Sequence, residues 1–535
     1  MVTVTEISDK WVLIIDDMEG MRAQMRMSLS SSGFAKLHVV SNIKEALARL
    51  AENHYDIILC DYSLGDSTNG QQFLEYLRTN DLIPRSTIFV MATAEQAYGT
   101  VVSVSECAPD DYLLKPFTAA ELNVRLQKMM NKQKYFAAIN QASDKKNWAR
   151  VIAECDKLLP EKDKYFFDLC KIKASALIHN NQAQQAVDIY REVLAIRPIG
   201  WAKLGLARSL AMLGNKAEAE KLAREIVADT PQFMAAYDFL SKLVADSGDQ
   251  EAALGILQKA RDIAPGTMSR LRELTTLAVN TGQPELAEKV MRETLQVHKY
   301  SPVRQAGDYA ILSKALTVQG KTKDALAVVT DGKKSFSDKS SNVILDVSES
   351  LVHRADGNDE LASAALDKAL AAGDLGNLPA DAVMEMANAC FALGKEEEAT
   401  KLLRHTVQNS NEDAAIKDKV HAALVAAGKD ASEASALIDD CENEMILLNN
   451  DGVRKAQEGH LNEAIELLCE AANRLPNNLQ IVGNAALVIA LDLVRNGKNA
   501  EKLNKCLSYR ESLVKKVSDH PKIEQIDKML KQLTA

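Results

Sequence analysis

Aromatic side chains are scarce in this 535-residue chain, where Phe, Trp and Tyr together supply 5%. A large β-sandwich or barrel draws more heavily on aromatic and β-branched residues, so a β-rich architecture is disfavoured. Basic residues do not outnumber acidic ones: 64 Lys+Arg stand against 74 Asp+Glu, a formal net charge of −10. A nucleic-acid binder needs a basic face to neutralise phosphates, so that class of partner is not expected. The eight cysteines contain no C-x-x-C pair, and no histidine stands at zinc-ligand spacing from a cysteine pair. Free buried thiols in a reducing compartment follow. The opening MVTVTEISDK has neither a basic n-region nor an apolar h-region. No uncharged apolar run reaches the length of about 18 residues needed to span a bilayer. The run Ala485 to Val494 is interrupted by Asp492. A soluble, cytoplasmic protein without membrane insertion is expected.

What is present in quantity is alanine and leucine, with 47% hydrophobic residues in all. That composition suits packed helices, because small side chains let helices approach. The length exceeds a single ordinary core; at about 150 residues per domain it implies three or four domains, or a repeat array.

The first 125 residues differ from the rest. Trp11–Ile15, Leu37–Val40, Asp56–Cys60, Thr87–Met91 and Asp111–Leu114 are short apolar runs, and helical spacing covers 19–31, 43–52, 70–79, 95–107 and 118–130. Strands alternating with helices predict βαβ units and a doubly wound, five-stranded parallel sheet. Ligands of such sheets sit at the carboxyl ends of the strands. There the sequence places Asp16 and Asp17 after strand one, Asp61 after strand three, Thr93 after strand four and Lys115 after strand five. Three carboxylates on one rim repel one another unless a cation binds, and a hard, oxygen-preferring ion such as Mg²⁺ answers that need. A lysine and a hydroxyl aimed at the same spot suit a bound phosphoryl group. Any one of these signals alone reads as a loop start or a turn. Together, in order, they read as a site that accepts a phosphoryl group on a carboxylate.

The segments "IIDD", "ILCDYSL", "VMATAE" and "DDYLLKPF" carry these residues, and over roughly 8–130 the chain resembles the CheY-like receiver domain of bacterial response regulators. The resemblance implies a flavodoxin-like fold and Asp61 as the phosphorylation site, supplied by a histidine kinase or phosphotransfer protein. It implies that Asp17, Asp61 and the backbone carbonyl of Ser63 hold Mg²⁺, with Asp16 acting through water. Lys115 would pair with the phosphoryl group, Thr93 would move toward it, and Tyr112 would swing inward. Ser63 and Glu95 would tune the lifetime of the phosphoaspartate. Pairing of two copies through the fourth and fifth strand–helix units is compatible with the resemblance. One departure stands out: Leu64–Gly65 replaces the family's Met–Pro, and Gly70 follows Asp61 by nine residues where the family has eight, so the loop is read as one residue longer.

From about residue 145 the text becomes helix, turn, helix. Gly214, Gly248, Gly282, Gly320, Gly357, Gly394 and Gly459 are each followed five residues later by alanine, and Asn181 with Ala186 forms an eighth copy. Small residues stand seven positions before each turn, from Ala174 and Ala207 to Ala387 and Gly452, and proline stands seventeen after four of them (Pro198, Pro231, Pro265, Pro476). The glycine ends one helix in a left-handed cap, the small residues let two helices close on each other, and proline punctuates the exit. Turn spacings of 33, 34, 34, 38, 37 and 37 resemble the tetratricopeptide repeat (TPR). Weaker copies surround Gly428, follow Gly497, and precede Asn181, the last with Trp148 where alanine is expected, giving about eleven repeats of which eight are clear. The segments 331–341 and 371–381 read as extended loops between repeats.

The resulting division is 1–126 receiver, 127–144 helical connector and 145–535 all-α helical-hairpin solenoid. Stacked repeats of this kind form a superhelix whose extended face binds proteins or peptides and carries no convergent acid–base machinery. No enzyme is expected beyond the receiver's own phosphoryl chemistry; a phosphatase with an aspartyl intermediate would want a second acid where Ser63 stands. "QGKT" (319–322) lacks the first glycine of a phosphate-binding loop, since Ala315 occupies it, and reads as a repeat turn. The favoured reading is a response regulator of a two-component phosphorelay whose TPR solenoid is a phosphorylation-controlled binding output. The alternative is a constitutive TPR scaffold that uses its receiver only for docking. Residues 1–125 hold 10 basic and 17 acidic residues and so carry most of the excess charge.

Overall fold

The computed structural model describes residues 7–64, 69–94, 109–299, 301–372, 375–410, 413–517 and 520–533. They fall into two compact units, Met1–Arg304 and Gln305–Ala535.

In the first unit the predicted apolar runs become β1 (Trp11–Ile15), β2 (Lys36–Val40), β3 (Ile57–Asp61), β4 (Ile88–Thr93) and β5 (Asp111–Leu114). All four pairings are parallel, in the order β2-β1-β3-β4-β5. Both faces of the sheet are covered, which is why the strands read as unbroken apolar runs. Val12 and Ile14 pack with Leu29, Leu122 and Leu126 on one side, while Leu13 and Ile15 pack with Phe73, Leu77 and Phe89 on the other. Helices α1 (Glu19–Ser31), α2 (Ile43–Glu52), α3 (Gly70–Thr79) and α4 (Ala119–Tyr135) supply those layers. The starts of α2, α3 and α4 are written locally. Asn42 accepts a hydrogen bond from the Glu45 backbone, and Asn69 with Gln72 and Thr118 with Glu121 form capping boxes. The predicted helix over 95–107 lies outside the described residues.

Helix α4 runs on past the predicted end at 130 and meets the repeats through an aromatic joint. Tyr135, Phe136 and Tyr165 hold their ring centroids 4.7–5.4 Å apart, and Lys132 pairs with Asp168 at 2.9 Å. Five hairpins follow, beginning with α5 (Ala137–Asp144) and α6 (Trp148–Leu158). Their turn residues Lys146, Asn181, Gly214, Gly248 and Gly282 all have positive φ, the left-handed geometry the repeat pattern demanded. The alanines five residues on and the small residues seven before are buried at the contact between paired helices. At the small position Ser241 satisfies its buried hydroxyl across the helix pair, Oγ donating to the Ala253 carbonyl at 3.1 Å. One expectation is corrected here. The turn of the first hairpin is Lys146, so the buried position is Val151, and Trp148 instead opens α6 and stacks on His179 at 4.6 Å.

The second unit continues the same grammar from Ala306–Val318 to Pro521–Gln532. The loop read over 331–341 is mostly helical. The helix Thr322–Ser335 runs through Gly332, whose lack of a side chain accommodates Leu345 and Tyr309, and the next helix starts at Lys339. Around Gly428 the pattern departs further. Helix Ala431–Gln457 spans 27 residues and joins the second helix of one copy to the first helix of the next. Seventeen residues after Gly428 stands Met445, not proline, and nothing there ends the helix.

Among the described residues one helix, Leu479–Asn496, is long and apolar enough to cross a membrane, and 61% of it is buried inside the protein. Asp492 explains how that apolar run tolerates a charge. It is 3% exposed, pairs with Lys502 at 2.7 Å and accepts a hydrogen bond from Asn496. Removing one partner of a buried pair is costly, moderated here because Lys502 is partly solvated. Lys502→Met is therefore expected to lower the stability of this unit by about 1–2 kcal/mol. A urea midpoint equal to that of the native chain would contradict this.

Candidate phosphoryl-acceptor site

The parallel sheet brings the ends of β1, β3, β4 and β5 to one rim. Asp16 follows β1 directly, fully buried, and is fixed on both carboxylate oxygens. Oδ1 accepts from the Met18 backbone N–H at 2.9 Å, and Oδ2 accepts from Lys115 Nζ at 2.8 Å. Asp61 closes β3, and its Oδ1 lies 2.9 Å from the same ammonium. Asp17, next in the chain, faces solvent; carboxylate oxygens of Asp16, Asp17 and Asp61 lie within 4.8 Å of one another. Lys115 reaches both buried acids because its backbone N–H donates to the Thr93 carbonyl at 2.7 Å, extending the β4–β5 register by one residue. The Lys115–Pro116 bond is cis.

The electrostatics follow from burial. Desolvation pushes the Asp61 carboxyl above its usual range, hydrogen bonding to Lys115 opposes this, and the neighbouring Asp16 and Asp17 charges add to it. Burial alone would lower the Lys115 ammonium, but its hydrogen bonds to Asp16 and Asp61 outweigh that and raise it. Lys115 pairs with Asp16 and Asp61 and leaves Asp17 beside them, an excess of negative charge that a divalent cation would correct. The donor set is all oxygen and part buried, part solvated, which fits Mg²⁺.

The remaining predicted residues are placed as follows. Thr93 ends β4 and is buried. Tyr112 sits opposite Met91 in the β4–β5 register and packs against the core cluster that contains Phe73 and Phe89. Its hydroxyl is buried and finds no hydrogen-bond partner among the described residues, and desolvation drives its pKa well up. Ser63 is exposed just beyond Asp61, where the rim loop begins. Glu95 lies outside the described residues.

One residue of the site was not singled out from the sequence, and another was noted there only for its spacing. Arg22, one turn into α1, donates from Nη1 to the carbonyl oxygens of Asp16 and Asp17 at 2.7 and 2.8 Å. It ties down the segment that presents both acids, and an arginine five residues after an acidic pair is the only trace it leaves in the sequence. The other is Gly70. Its N–H donates to the Tyr62 carbonyl at 2.8 Å, and a Cβ added there would lie 2.4 Å from the Asp61 carbonyl oxygen. The start of α3 is pressed against the backbone of the candidate acceptor.

Two stretches of the chain match known families. Residues 12–127 match the response regulator receiver domain, and residues 348–447 match the tetratrico peptide repeat. The chain is 24% identical over 255 residues to regulatory protein AtoC of Escherichia coli, covering 47% of this chain and 50% of that protein. It is 31% identical over 121 residues to transcriptional regulatory protein SrrA of Staphylococcus aureus, covering 23% of this chain and 48% of that one. The chain thus spans about half the length of the curated relatives it matches. A tetratricopeptide repeat protein from Parabacteroides merdae superimposes with a TM-score of 0.32 at 13% identity, covering 45% of this chain and 93% of that one.

Proposed function

We propose that the chain is a response regulator of a two-component phosphorelay, in which residues 1–126 receive a phosphoryl group, 127–144 connect, and 145–535 bind a protein or peptide. The observation that carries the reading is the buried Asp16–Lys115–Asp61 arrangement with Asp17 beside it. In the reaction, an Asp61 carboxylate oxygen forms a bond to phosphorus while the bond to the donor histidine nitrogen breaks. That nitrogen leaves as neutral imidazole and keeps the electron pair. Asp17, Asp61 and the Ser63 carbonyl would hold Mg²⁺, with Asp16 alongside; the ion supplies positive charge against the phosphoryl oxygens. Lys115 neutralises a further share of that charge, and the Thr93 hydroxyl donates a hydrogen bond to a phosphoryl oxygen. Transfers of this kind rest on positioning and charge neutralisation, and Arg22 supports them by holding the Asp16–Asp17 backbone. Ser63 and Glu95 set how long the product survives. The partners are a histidine kinase or phosphotransfer protein on one side and the ligand of the repeats on the other, in a cytoplasmic protein that is no enzyme beyond this chemistry and that is compatible with homodimerisation.

The test compares proteins retained from native lysate by the wild-type chain with beryllofluoride and Mg²⁺ and by Asp61→Ala under the same conditions. Distinct retained sets are expected. Identical sets would return the chain to a constitutive scaffold.

A further inference from the structure

The phosphoryl-acceptor site and the repeats of the first unit share one element, helix α3. At its amino end, Gln72 Nε2 donates to the carbonyl of Gly266 at 2.8 Å, across 194 residues of sequence. Gly266 lies in the turn between the helices Gln250–Ile263 and Met268–Asn280. One turn further along α3, Glu75 lies in the field of Arg270 and Asp238, residues of the first helices of two successive hairpins. Arg270 is itself buried and grips Asp238 through both carboxylate oxygens at 2.6 and 2.9 Å. Glu75 is half-buried, and burial holds its carboxyl above the usual range against the opposing hydrogen bond from Gln71. Beyond the carboxyl end of α3, Asp81 pairs with Lys146 of the α5–α6 turn at 3.0 Å, and the Arg85 backbone N–H donates at 2.7 Å to Asp144, which ends α5. The helix is therefore clasped at both ends by the repeats. The same helix begins at Gly70, packed on the Asp61 backbone, and its first turn is stapled by the Asn69–Gln72 capping box, whose glutamine also makes the bond to Gly266.

We infer that the repeat face around Gly266, Asp238 and Arg270 is an interaction surface whose resident occupant is the receiver's own helix α3, and that phosphorylation of Asp61 releases it. The second half of this statement rests on the function proposed above. The physical route is short. A phosphoryl group adds negative charge at the end of β3, beside the amino end of the helix, which answers that charge by pivoting because the contact at Gly70 leaves no room for closer approach. Because Gly70 is in contact with the Asp61 backbone, a shift there carries Gln72 and Glu75 away from Gly266 and Arg270. What the released face then accepts is a helix that offers an amide and a carboxylate one turn apart, as Gln72 and Glu75 do.

Gly266 provides a clean probe. It is exposed, its φ lies outside the left-handed region, and the one atom within 4 Å of an added Cβ is Gln72 Nε2 at 3.2 Å. Gly266→Trp should therefore wedge the two surfaces apart without disturbing the repeat that carries it, and Glu75→Lys should repel Arg270 from the receiver side. Hydrogen exchange is measured on the full chain for peptides covering 71–80 and 264–272. Both variants are expected to raise exchange in both peptides by about tenfold, as the two covered backbones open to solvent. Wild type with beryllofluoride and Mg²⁺ is expected to show the same rise in the same peptides. Unchanged exchange in both variants overturns the docking surface. If the variants respond but wild type with beryllofluoride bound, as monitored by fluorine resonance, does not, release by phosphorylation is overturned. If no beryllofluoride binds at all, the acceptor reading of Asp61 fails, and the surface is then decided by the two variants alone.

Discussion

Acetyl phosphate with Mg²⁺ is expected to label the native chain and to leave Asp61→Asn unlabelled. The substitution is nearly isosteric, so the packing around β3 should survive it, while the neutral amide lacks the negative charge that makes a carboxylate oxygen nucleophilic toward phosphorus. The neighbouring acids are poor substitutes. Both oxygens of Asp16 are already engaged, one by the Met18 N–H and one by Lys115, and the carboxylate is fully buried. Asp17 faces solvent, with the ammonium of Lys115 directed to its neighbours. Loss of an essential electrostatic or nucleophilic group in such a site costs on the order of 10²-fold or more. Labelling should therefore fall to background, and the label on the native chain should be removed by hydroxylamine, as an acyl phosphate is. Persistent labelling of the asparagine chain would place the acceptor elsewhere.

Gly70→Ala is the second large effect, and its cause is steric. The added Cβ would lie 2.4 Å from the Asp61 carbonyl oxygen, 2.6 Å from Met91 Sδ and 3.2 Å from Cys60 Sγ. The methionine can yield; the backbone carbonyl belongs to a central strand paired on both sides and cannot. Overpacking of this kind costs about 1–3 kcal/mol and here should reach the upper end, with the receiver's unfolding temperature falling by roughly 10 °C. Gly20→Ala serves as the control. It lies in α1 with nothing within 4 Å of its added Cβ, so it should be neutral or stabilise slightly, by about 0.5 kcal/mol. Calorimetry that found the two variants alike would remove the argument that α3 is pressed against the acceptor strand.

The rim of the sheet was legible in the sequence because each of its residues ends an apolar run. Asp16, Asp17, Asp61, Thr93 and Lys115 could be placed by counting strands, since parallel strands deliver their carboxyl ends to one side. The repeat turns were legible for a similar reason: a left-handed residue with alanine five positions on is a local requirement. What escaped was set by distance or by a missing signal. Gln72 and Gly266 are too far apart in sequence for any pattern to join them. The helix through Gly332 resembled a loop because serine, lysine and glycine cluster there, yet its buried face is set by packing against Leu345 and Tyr309. Trp148 falls outside the alanine position because Lys146 does in the first hairpin what glycine does elsewhere.

The long helix Ala431–Gln457 has a mechanical consequence. A stack of hairpins ordinarily unfolds one module at a time, because each touches only its neighbours and the seams between them are flexible. Here 27 residues of uninterrupted helix, about 40 Å of it, run across one such seam. Two modules become one domino: neither can topple without the other, and fraying that reaches this helix must stop before it or take both.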